Sequence, residues 1–150
     1  MNLKANRIIK SIIIKEVSTD QFDTIKQFIQ EFELDNRELL QEQFLEAMSN
    51  DELVGFGRIR KREGCSELCS LGVIEPERLK GVGKQLVRAL IQKADEPLFL
   101  VCIIPEFFIP FGFKVVSEYP YAMQEKLDYC ISELVVPETY VVMKFEGNDA

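Results

Sequence analysis

The feature that most constrains the fold of this sequence is a strand, a helix and a second strand that follow one another within residues 66–104. Residues 66–74 (SELCSLGVI) have the composition of a strand, and residues 84–95 place their apolar side chains on one helical face. Residues 98–104 (LFLVCII) form a continuous apolar run, as expected of a strand that is covered on both faces. Because units of this kind join parallel strands by a right-handed crossover, the segment predicts a parallel βαβ unit.

The rest of the chain predicts strands and helices around that unit. The first strand precedes an amphipathic helix with Thr19 or Asp20 as its cap, and Asp35 with Asn36 is predicted to cap a shorter helix. A short carboxyl-terminal helix is predicted around Met123–Tyr129. The other predicted strands lie at residues 7–17, 43–48, 52–62 and 113–120 and in the segment 133–145. The predicted fold class is therefore α/β (α+β), with a mixed, mostly antiparallel sheet of six to seven strands, the parallel unit at its centre and helices on both faces.

Length and composition narrow the chemistry. The chain has 150 residues with 47% hydrophobic content, which predicts one domain spanning residues 1–150, and it contains no histidine. Imidazole acid–base catalysis, Ser-His and Cys-His nucleophile pairs and histidine-containing zinc sites are thereby excluded. Any proton transfer must use carboxylates, Tyr, Cys, Lys, water or the substrate.

Charge and cysteine content restrict the partners and the compartment. The net charge is -7 and no basic run is present, so we expect no nucleic-acid partner. The four cysteines form no C-x-x-C pair, which predicts reduced thiols in a cytoplasmic protein and no metal site. Residues 12–14 are the longest apolar run near the amino terminus and lie between lysines, so neither a signal peptide nor a membrane span is expected.

The glycine-containing segment 78–84 joins the first strand of the βαβ unit to its helix. Glycines at the first turn of a helix leave unpaired backbone N–H groups open to an anion, and neighbouring basic side chains add positive charge. A phosphate group is one interpretation, and a tight turn without a ligand is the other. The segment is not a P-loop, and it is not a dinucleotide-binding loop because Leu86 stands where the third glycine should be.

The same segment resembles a known family. RLKGVG at residues 78–83 matches the R/Q-x-x-G-x-G/A signature of the GNAT superfamily of acyl-CoA-dependent N-acyltransferases. Three further segments resemble elements of that family: QFLEAMSNDELVGFGRI at residues 43–59, SELCSLGVI at residues 66–74 and FFIPFGFKVV at residues 107–116. The resemblance covers roughly residues 10–120 and implies the GNAT fold.

The resemblance implies how acetyl-CoA would be bound. Its pantetheine arm would lie between strands 66–74 and 98–104, and a backbone N–H near Leu71 would stabilise the oxyanion formed when an amine attacks the thioester. Gly72, as a glycine within a strand, also indicates close approach of another backbone or a ligand. The residues implied to bind the cofactor are Leu71, Gly72 and Val73 through their backbone, Arg78, Leu79, Lys80, Gly81, Val82, Gly83 and Lys84 around the pyrophosphate, and Phe108.

Glu67 is the candidate general base. It precedes Arg78 at the spacing that the general-base glutamate has in the histone-acetylating branch of the superfamily, and strand alternation puts it on the face of Cys69 and Leu71. Partial burial there would raise the pKa of Glu67 toward neutrality, as a base near pH 7 requires. The alternative is a solvated residue at the end of a strand, next to the Gly64 turn.

The general acid of the family is missing from its usual position. Phe108 stands where a tyrosine commonly protonates the departing thiolate of CoA, so Tyr119, Tyr121, Tyr129, Tyr140 or solvent must replace it. Cys130 is a possible nucleophile, although a buried hydrophobic role fits a thiol without a histidine partner better. Residues 107–145 resemble the small members related to N-acetylglutamate synthases and arsenic-resistance acetyltransferases, which favours an amino-acid-like amine as acceptor.

We therefore expect an N-acetyltransferase that moves an acetyl group from acetyl-CoA to a primary amine of a small molecule by direct attack in a ternary complex, without a metal. The alternatives are a non-catalytic acyl-CoA-binding or regulatory module, a protein N-acetyltransferase, and a structural domain whose glycines only form a turn. The exposed end of a mixed sheet also predicts a possible homodimer, and no membrane partner is expected.

Overall fold

A computed structural model describes residues 11–74, 81–95 and 97–147 of the chain. Seven strands in these ranges form one sheet, which confirms the predicted number and the mixed fold class. The strands are β1 (Ile13–Glu16), β2 (Phe44–Ser49), β3 (Glu52–Arg62), β4 (Cys65–Val73), β5 (Leu98–Cys102), β6 (Phe113–Val115) and β7 (Val141–Phe145).

The sheet has the order β1-β2-β3-β4-β5-β7-β6. The neighbours β4 and β5 are parallel, and the other neighbouring strands are antiparallel, so the predicted βαβ unit lies at the centre of the sheet. The parallel pairing consists of Ser66 opposite Leu98 and Glu67 opposite Phe99. Since β4 continues to Val73 and β5 to Cys102, the described parts of the two strands separate beyond Glu67.

Four α-helices of the described residues accompany the sheet: α1 (Thr19–Glu31), α2 (Val82–Lys93), α3 (Pro105–Phe108) and α4 (Tyr121–Glu133). Ser18, rather than Thr19 or Asp20, caps α1, because its hydroxyl accepts a hydrogen bond from the N–H of Gln21. The prediction of a short helix after Asp35 and Asn36 is wrong, since no α-helix lies there. Asp35 Oδ1 instead accepts hydrogen bonds from the N–H and Nε of Arg37, which form a local turn around the side chain.

Helix α2 packs against one face of the sheet over two glycines of β3. A Cβ at Gly55 would lie 2.8 Å from Val82 Cγ1, and a Cβ at Gly57 would lie 2.7 Å from Leu90 Cδ1. These glycines therefore allow the helix to approach the strand closely, which fixes the position of its amino terminus relative to β4. Leu86 and Leu90, both fully buried, form the centre of the hydrophobic core on this face.

Helices α1 and α4 cover the opposite face of the sheet. Ile25 and Ile29 of α1 pack with Phe44 and Phe56, and Met123 of α4 packs with Phe99 and other residues of a separate cluster. This arrangement confirms helices on both faces. The two helices leave space between them over the separated parts of β4 and β5, and the candidate site lies there.

Candidate active site

A cavity of about 360 Å³ lies where β4 and β5 separate. Its walls come from β4, from β5 and the residues after it, from the segment after α1, and from α4 with the segment that follows it. The exposed backbone edges of two diverging strands can hold an extended ligand as an additional strand would be held. The lining includes Leu71 and Phe108, two of the residues that the sequence analysis assigned to the cofactor.

Strand β4 has an irregularity at the cavity. Phe56 pairs with Gly72 and Arg58 pairs with Cys69, so Ser70 and Leu71 together face one residue of β3. Ser70 has a φ of 54°, a left-handed conformation that non-glycine residues rarely adopt. Its hydroxyl donates to the carbonyl oxygen of Asp35 at 2.8 Å, which stabilises this local conformation. A bulge of this kind turns backbone groups out of the regular ladder, here beside the cavity.

Gly72 lies against an aromatic side chain. A Cβ at this position would lie 2.5 Å from Cζ of Phe56, which stands opposite it in β3. The Phe56 ring is therefore one reason for a glycine here, and the approach of a ligand to Gly72 remains a prediction. Val73 continues the strand and is half-buried.

The amino terminus of α2 lies at the end of the linker that follows β4. Gly81 is the N-cap residue, and Val82, Gly83 and Lys84 form the first turn. Gly81 has φ -82° and ψ -4°, and among the described residues a Cβ there would meet the Gln85 side chain alone, at 3.7 Å. The backbone conformation of Gly81 thus does not require glycine. Because Gly81 has no side chain, however, the first amides of α2 are accessible to an anion.

The structure describes only part of the loop that was predicted to bind the pyrophosphate. Lys84 is exposed, as a residue that contacts a solvent-accessible phosphate would be. Arg78, Leu79 and Lys80, which the sequence analysis assigned to the pyrophosphate, lie outside the described residues. Their role remains a prediction.

Phe108 is 5% exposed and ends the short helix α3 beside the cavity. Its ring meets that of Phe107 edge to face at a centroid distance of 5.0 Å and that of Phe113 at 5.8 Å. Aromatic packing therefore occupies the position at which the family commonly has a tyrosine. No phenolic hydroxyl is present at this position to donate a proton.

A closed ring of six charged side chains lies beneath the cavity. Lys126 Nζ is 2.8 Å from Asp35 Oδ2 and 2.7 Å from Glu67 Oε2, and all three side chains are buried. Arg62 Nη1 donates to Glu67 Oε1 at 2.6 Å. These contacts join the segment after α1 to β3, β4 and α4.

The other half of the ring is closer to solvent. Glu125 accepts hydrogen bonds of 2.6 Å from both Arg62 Nη2 and Arg37 Nη1. Arg37 closes the ring through Asp35, with Nη2 3.1 Å from Oδ2. Three carboxylates thus alternate with three cations, and the ring is electrically neutral as a whole. We call this group the charge ring: Asp35, Lys126, Glu67, Arg62, Glu125 and Arg37.

The structure contradicts the expected environment of Glu67. The side chain is fully buried rather than partly exposed, and it is not among the described residues that line the cavity. Burial alone would raise the pKa of Glu67, but the charges and hydrogen bonds of Lys126 and Arg62 outweigh it and hold this pKa below its ordinary value. The expected rise of its pKa toward neutrality is therefore wrong. Its assignment as general base remains a prediction.

The charge ring predicts that the protein loses stability in acid. Burial opposes ionisation of Asp35, yet hydrogen bonds from Arg37 and the charge of Lys126 hold the pKa of Asp35 below its ordinary value, as for Glu67. Groups with a lowered folded-state pKa stabilise the fold above their unfolded pKa of about 4, and that contribution is lost as the pH falls below it. We expect the free energy of unfolding in urea to fall by roughly 2 kcal/mol between pH 5 and pH 3. Equal values at the two pH values would contradict this prediction.

Other candidate proton-transfer groups differ in their access to the cavity. Of the four tyrosines, Tyr140 lines the cavity, and its hydroxyl donates to the carbonyl oxygen of Leu134 at 2.6 Å. Cys102 and Cys130 also line it, and burial raises the pKa of each thiol to about 11. Because a thiol with this pKa is almost wholly protonated near pH 7, Cys130 is a poor nucleophile.

Sequence reasoning missed Asp35 and Lys126 as residues of the site. Asp35 was taken for a helix cap, and Lys126 lies in the predicted short helix with no motif around it. The only available signal was a lysine within a helix whose neighbours Met123 and Cys130 are buried on the same face. The pairing of these residues with Glu67 depends on contacts between segments far apart in the chain.

The described residues were also compared with the requirements of a membrane span and of a metal site. None of their helices is both long and apolar enough to cross a membrane. In the same part of the chain, no group of three or more Cys, Asp or Glu side chains is arranged to hold a metal ion.

Solved structures with the same fold include acyltransferases. N-acetylglutamate synthase from Neisseria gonorrhoeae, solved with coenzyme A and N-acetyl-glutamate, has a TM-score of 0.69 and 20% identity over 93% of this chain, which spans 36% of that chain. Rv2747 from Mycobacterium tuberculosis, solved with CoA, has a TM-score of 0.70 and 19% identity, with 89% and 98% of the two chains covered. Arabidopsis thaliana Naa50, solved with the bisubstrate analogue CoA-Ac-MVNAL, has a TM-score of 0.61 and 18% identity, with 89% and 97% covered.

Sequence comparisons give the family. No curated protein sequence matches the chain. The family model described as acetyltransferase (GNAT) family matches residues 11–106, which include strands β1 to β5 and helices α1 and α2. Together with the parallel strands that separate over a cavity and the glycines at the start of α2, this match shows that the chain belongs to the GNAT acetyltransferase family.

Proposed function

We propose that the protein transfers an acetyl group from acetyl-CoA to a primary amine of a small molecule, by direct attack of the amine in a ternary complex. The observation that carries this proposal is the separation of β4 and β5 beyond Glu67 and Phe99, which opens the cavity beside the β4 bulge. The first turn of α2, with Gly81 and Gly83, supplies accessible amides for the pyrophosphate. Solved structures of the same fold contain CoA, which supports a ligand of this class.

Positioning and electrostatic stabilisation would supply most of the catalysis. The backbone of Leu71, Gly72 and Val73 would bind the pantetheine, and an N–H at the bulge near Leu71 would donate to the oxyanion as the amine attacks the thioester carbonyl. The bond between the amine nitrogen and the acyl carbon forms, the carbon–sulfur bond breaks, and the thiolate leaves with its electron pair. Phe108 would contact the cofactor through apolar packing.

The proton of the amine needs an acceptor that the charge ring does not readily supply. Asp35 lines the cavity, but Arg37 and Lys126 occupy its carboxylate, and Glu67 is buried behind the wall. Water in the cavity is the acceptor that fits this arrangement, and solvent or Tyr140 would protonate the thiolate. Glu67 would act as a base only through an intervening water, and the pH profile of kcat/KM for Glu67→Gln tests that role.

Ligand-dependent melting tests the proposal. Acetyl-CoA at 1 mM, taken as about one hundred times its Kd, should stabilise the protein by about 2.7 kcal/mol and so raise the melting temperature of a 150-residue chain by about 8 °C. Release of CoA thiol should then require an amine. No shift with acetyl-CoA would contradict binding of the cofactor.

A non-catalytic acyl-CoA-binding module is the second candidate, and Phe108 in place of a tyrosine favours it. Such a module would show the melting shift without thiol release for any amine in a broad panel.

A protein N-acetyltransferase would acetylate peptide amino termini in preference to small amines. A homodimer, a cytoplasmic location and independence from metals, nucleic acids and membranes are further parts of the proposal.

A further inference from the structure

The cavity contains one cation among its described lining residues, and that cation is already neutralised. Lys126 Nζ lies 2.8 Å from Asp35 Oδ2 and 2.7 Å from Glu67 Oε2. Two carboxylates at these distances leave its charge fully compensated. A substrate carboxylate that entered the cavity would have to displace one of them, and the displaced carboxylate would stay buried with only one of its two cations, Arg37 for Asp35 or Arg62 for Glu67.

The other charges of the described cavity wall are carboxylates. Arg37 and Lys126 neutralise Asp35, whereas Glu33, two residues after the end of α1, lines the cavity and is exposed. An exposed carboxylate at the mouth of a cavity attracts a cationic amine and repels an anion. Bringing an anionic group into this cavity would therefore remove its hydration without supplying a cation in exchange.

The outer wall of the cavity is apolar. The exposed fractions of its large side chains are 39% for Phe32, 47% for Ile104, 76% for Val135 and 37% for Val136. Leu34 adds a half-buried side chain to the same wall. Four partly exposed apolar residues around one opening form a surface that an apolar group of a ligand would cover.

We propose that the acceptor is a primary amine on an apolar body that carries no carboxylate near the nitrogen. This inference rests on the proposed acetyltransferase function and narrows it, because it removes free amino acids from the amino-acid-like acceptors that the sequence resemblance favours. The neutralised Lys126 excludes the carboxylate, Glu33 attracts the amine, and the apolar rim binds its body.

A matched acceptor series tests the inference. Thiol release and product mass are measured with saturating acetyl-CoA and, in turn, 3-methylbutylamine, leucinamide, leucine and glutamate. We expect kcat/KM for both carboxylate-free acceptors to exceed that for leucine at least 100-fold, with no detectable turnover of glutamate. The two favoured amines differ in pKa by about 2, so a preference shared by both cannot come from basicity. Leucine or glutamate within threefold of leucinamide would overturn the inference.

A cation placed on the rim should change this preference. Val136→Arg adds a guanidinium to the apolar wall at a partly exposed position, so the fold should tolerate it. We expect the ratio of kcat/KM for leucine to that for leucinamide to rise at least tenfold, because the new cation can bind the carboxylate. The control Val136→Met should leave that ratio unchanged. An unchanged ratio in Val136→Arg would show that the rim does not face the acceptor and would overturn the inference.

The results also separate this inference from the proposed function. If acetyl-CoA raises the melting temperature but no acceptor releases thiol, the transferase proposal fails, and the specificity inference fails with it. If leucine or glutamate reacts best, the transferase proposal stands and only the inference about the carboxylate fails.

Discussion

Gly81→Asp is expected to weaken acetyl-CoA binding at least 100-fold while leaving the protein folded. An aspartate at the N-cap accepts hydrogen bonds from the amides of the first turn, here those of Gly83 and Lys84. Its carboxylate would therefore occupy the position proposed for the pyrophosphate, and its charge would repel the ligand. Because aspartate is a better N-cap than glycine, the melting temperature without ligand should stay equal or rise slightly. Titration calorimetry with acetyl-CoA measures the effect.

Gly81→Ala is the matched control for that variant. A Cβ at this position would lie 3.7 Å from Nε2 of Gln85, an ordinary van der Waals distance, so alanine fits among the described residues without strain. It cannot accept a hydrogen bond, and we expect its affinity for acetyl-CoA to remain within about tenfold of the unmodified protein. Unchanged binding in Gly81→Asp would contradict the assignment of this helix terminus to the pyrophosphate.

Glu67→Gln should lower the free energy of unfolding by about 3 kcal/mol, because it removes one anion from a buried group of charges and leaves Lys126 and Arg62 undercompensated. Urea denaturation at pH 7 measures the loss. Glu125→Gln is the matched control from the same ring. Since Glu125 is 38% exposed, we expect it to cost at most about 1 kcal/mol.

The same variant decides whether Glu67 is the general base. If Glu67 only positions β4 and α4, the variant assayed below its melting temperature should keep the shape of the pH profile of kcat/KM, whatever its absolute rate. A base would be revealed by loss of the acidic limb of that profile. The opposite combination, with full stability and a lost acidic limb, would contradict the structural role.

Local sequence was sufficient for the parts of the protein that depend on short-range patterns. The βαβ unit follows from alternation in residues 66–74, the apolar stripe of α2 and the apolar run of β5, and these patterns reflect which faces are covered. The start of α2 beside Gly81 was predictable for the same reason, because a helix terminus depends on local sequence. The failure came at Asp35 and Asn36, where a local turn around Arg37 competes with a helix cap.

The absence of histidine and the glycine-containing loop before α2 were determined by the sequence alone, and they restricted the chemistry and indicated the family. The environment of Glu67 was decided only by the tertiary structure. Strand alternation did not reveal the bulge at Ser70, which puts Leu71 on the face of α2 and leaves Glu67 on the opposite face. It also gave no information about Lys126, which comes from a helix far along the chain. The pKa of a buried carboxylate depends on which charges the fold brings within a few ångströms of it, and those contacts join segments whose sequences carry no sign of one another.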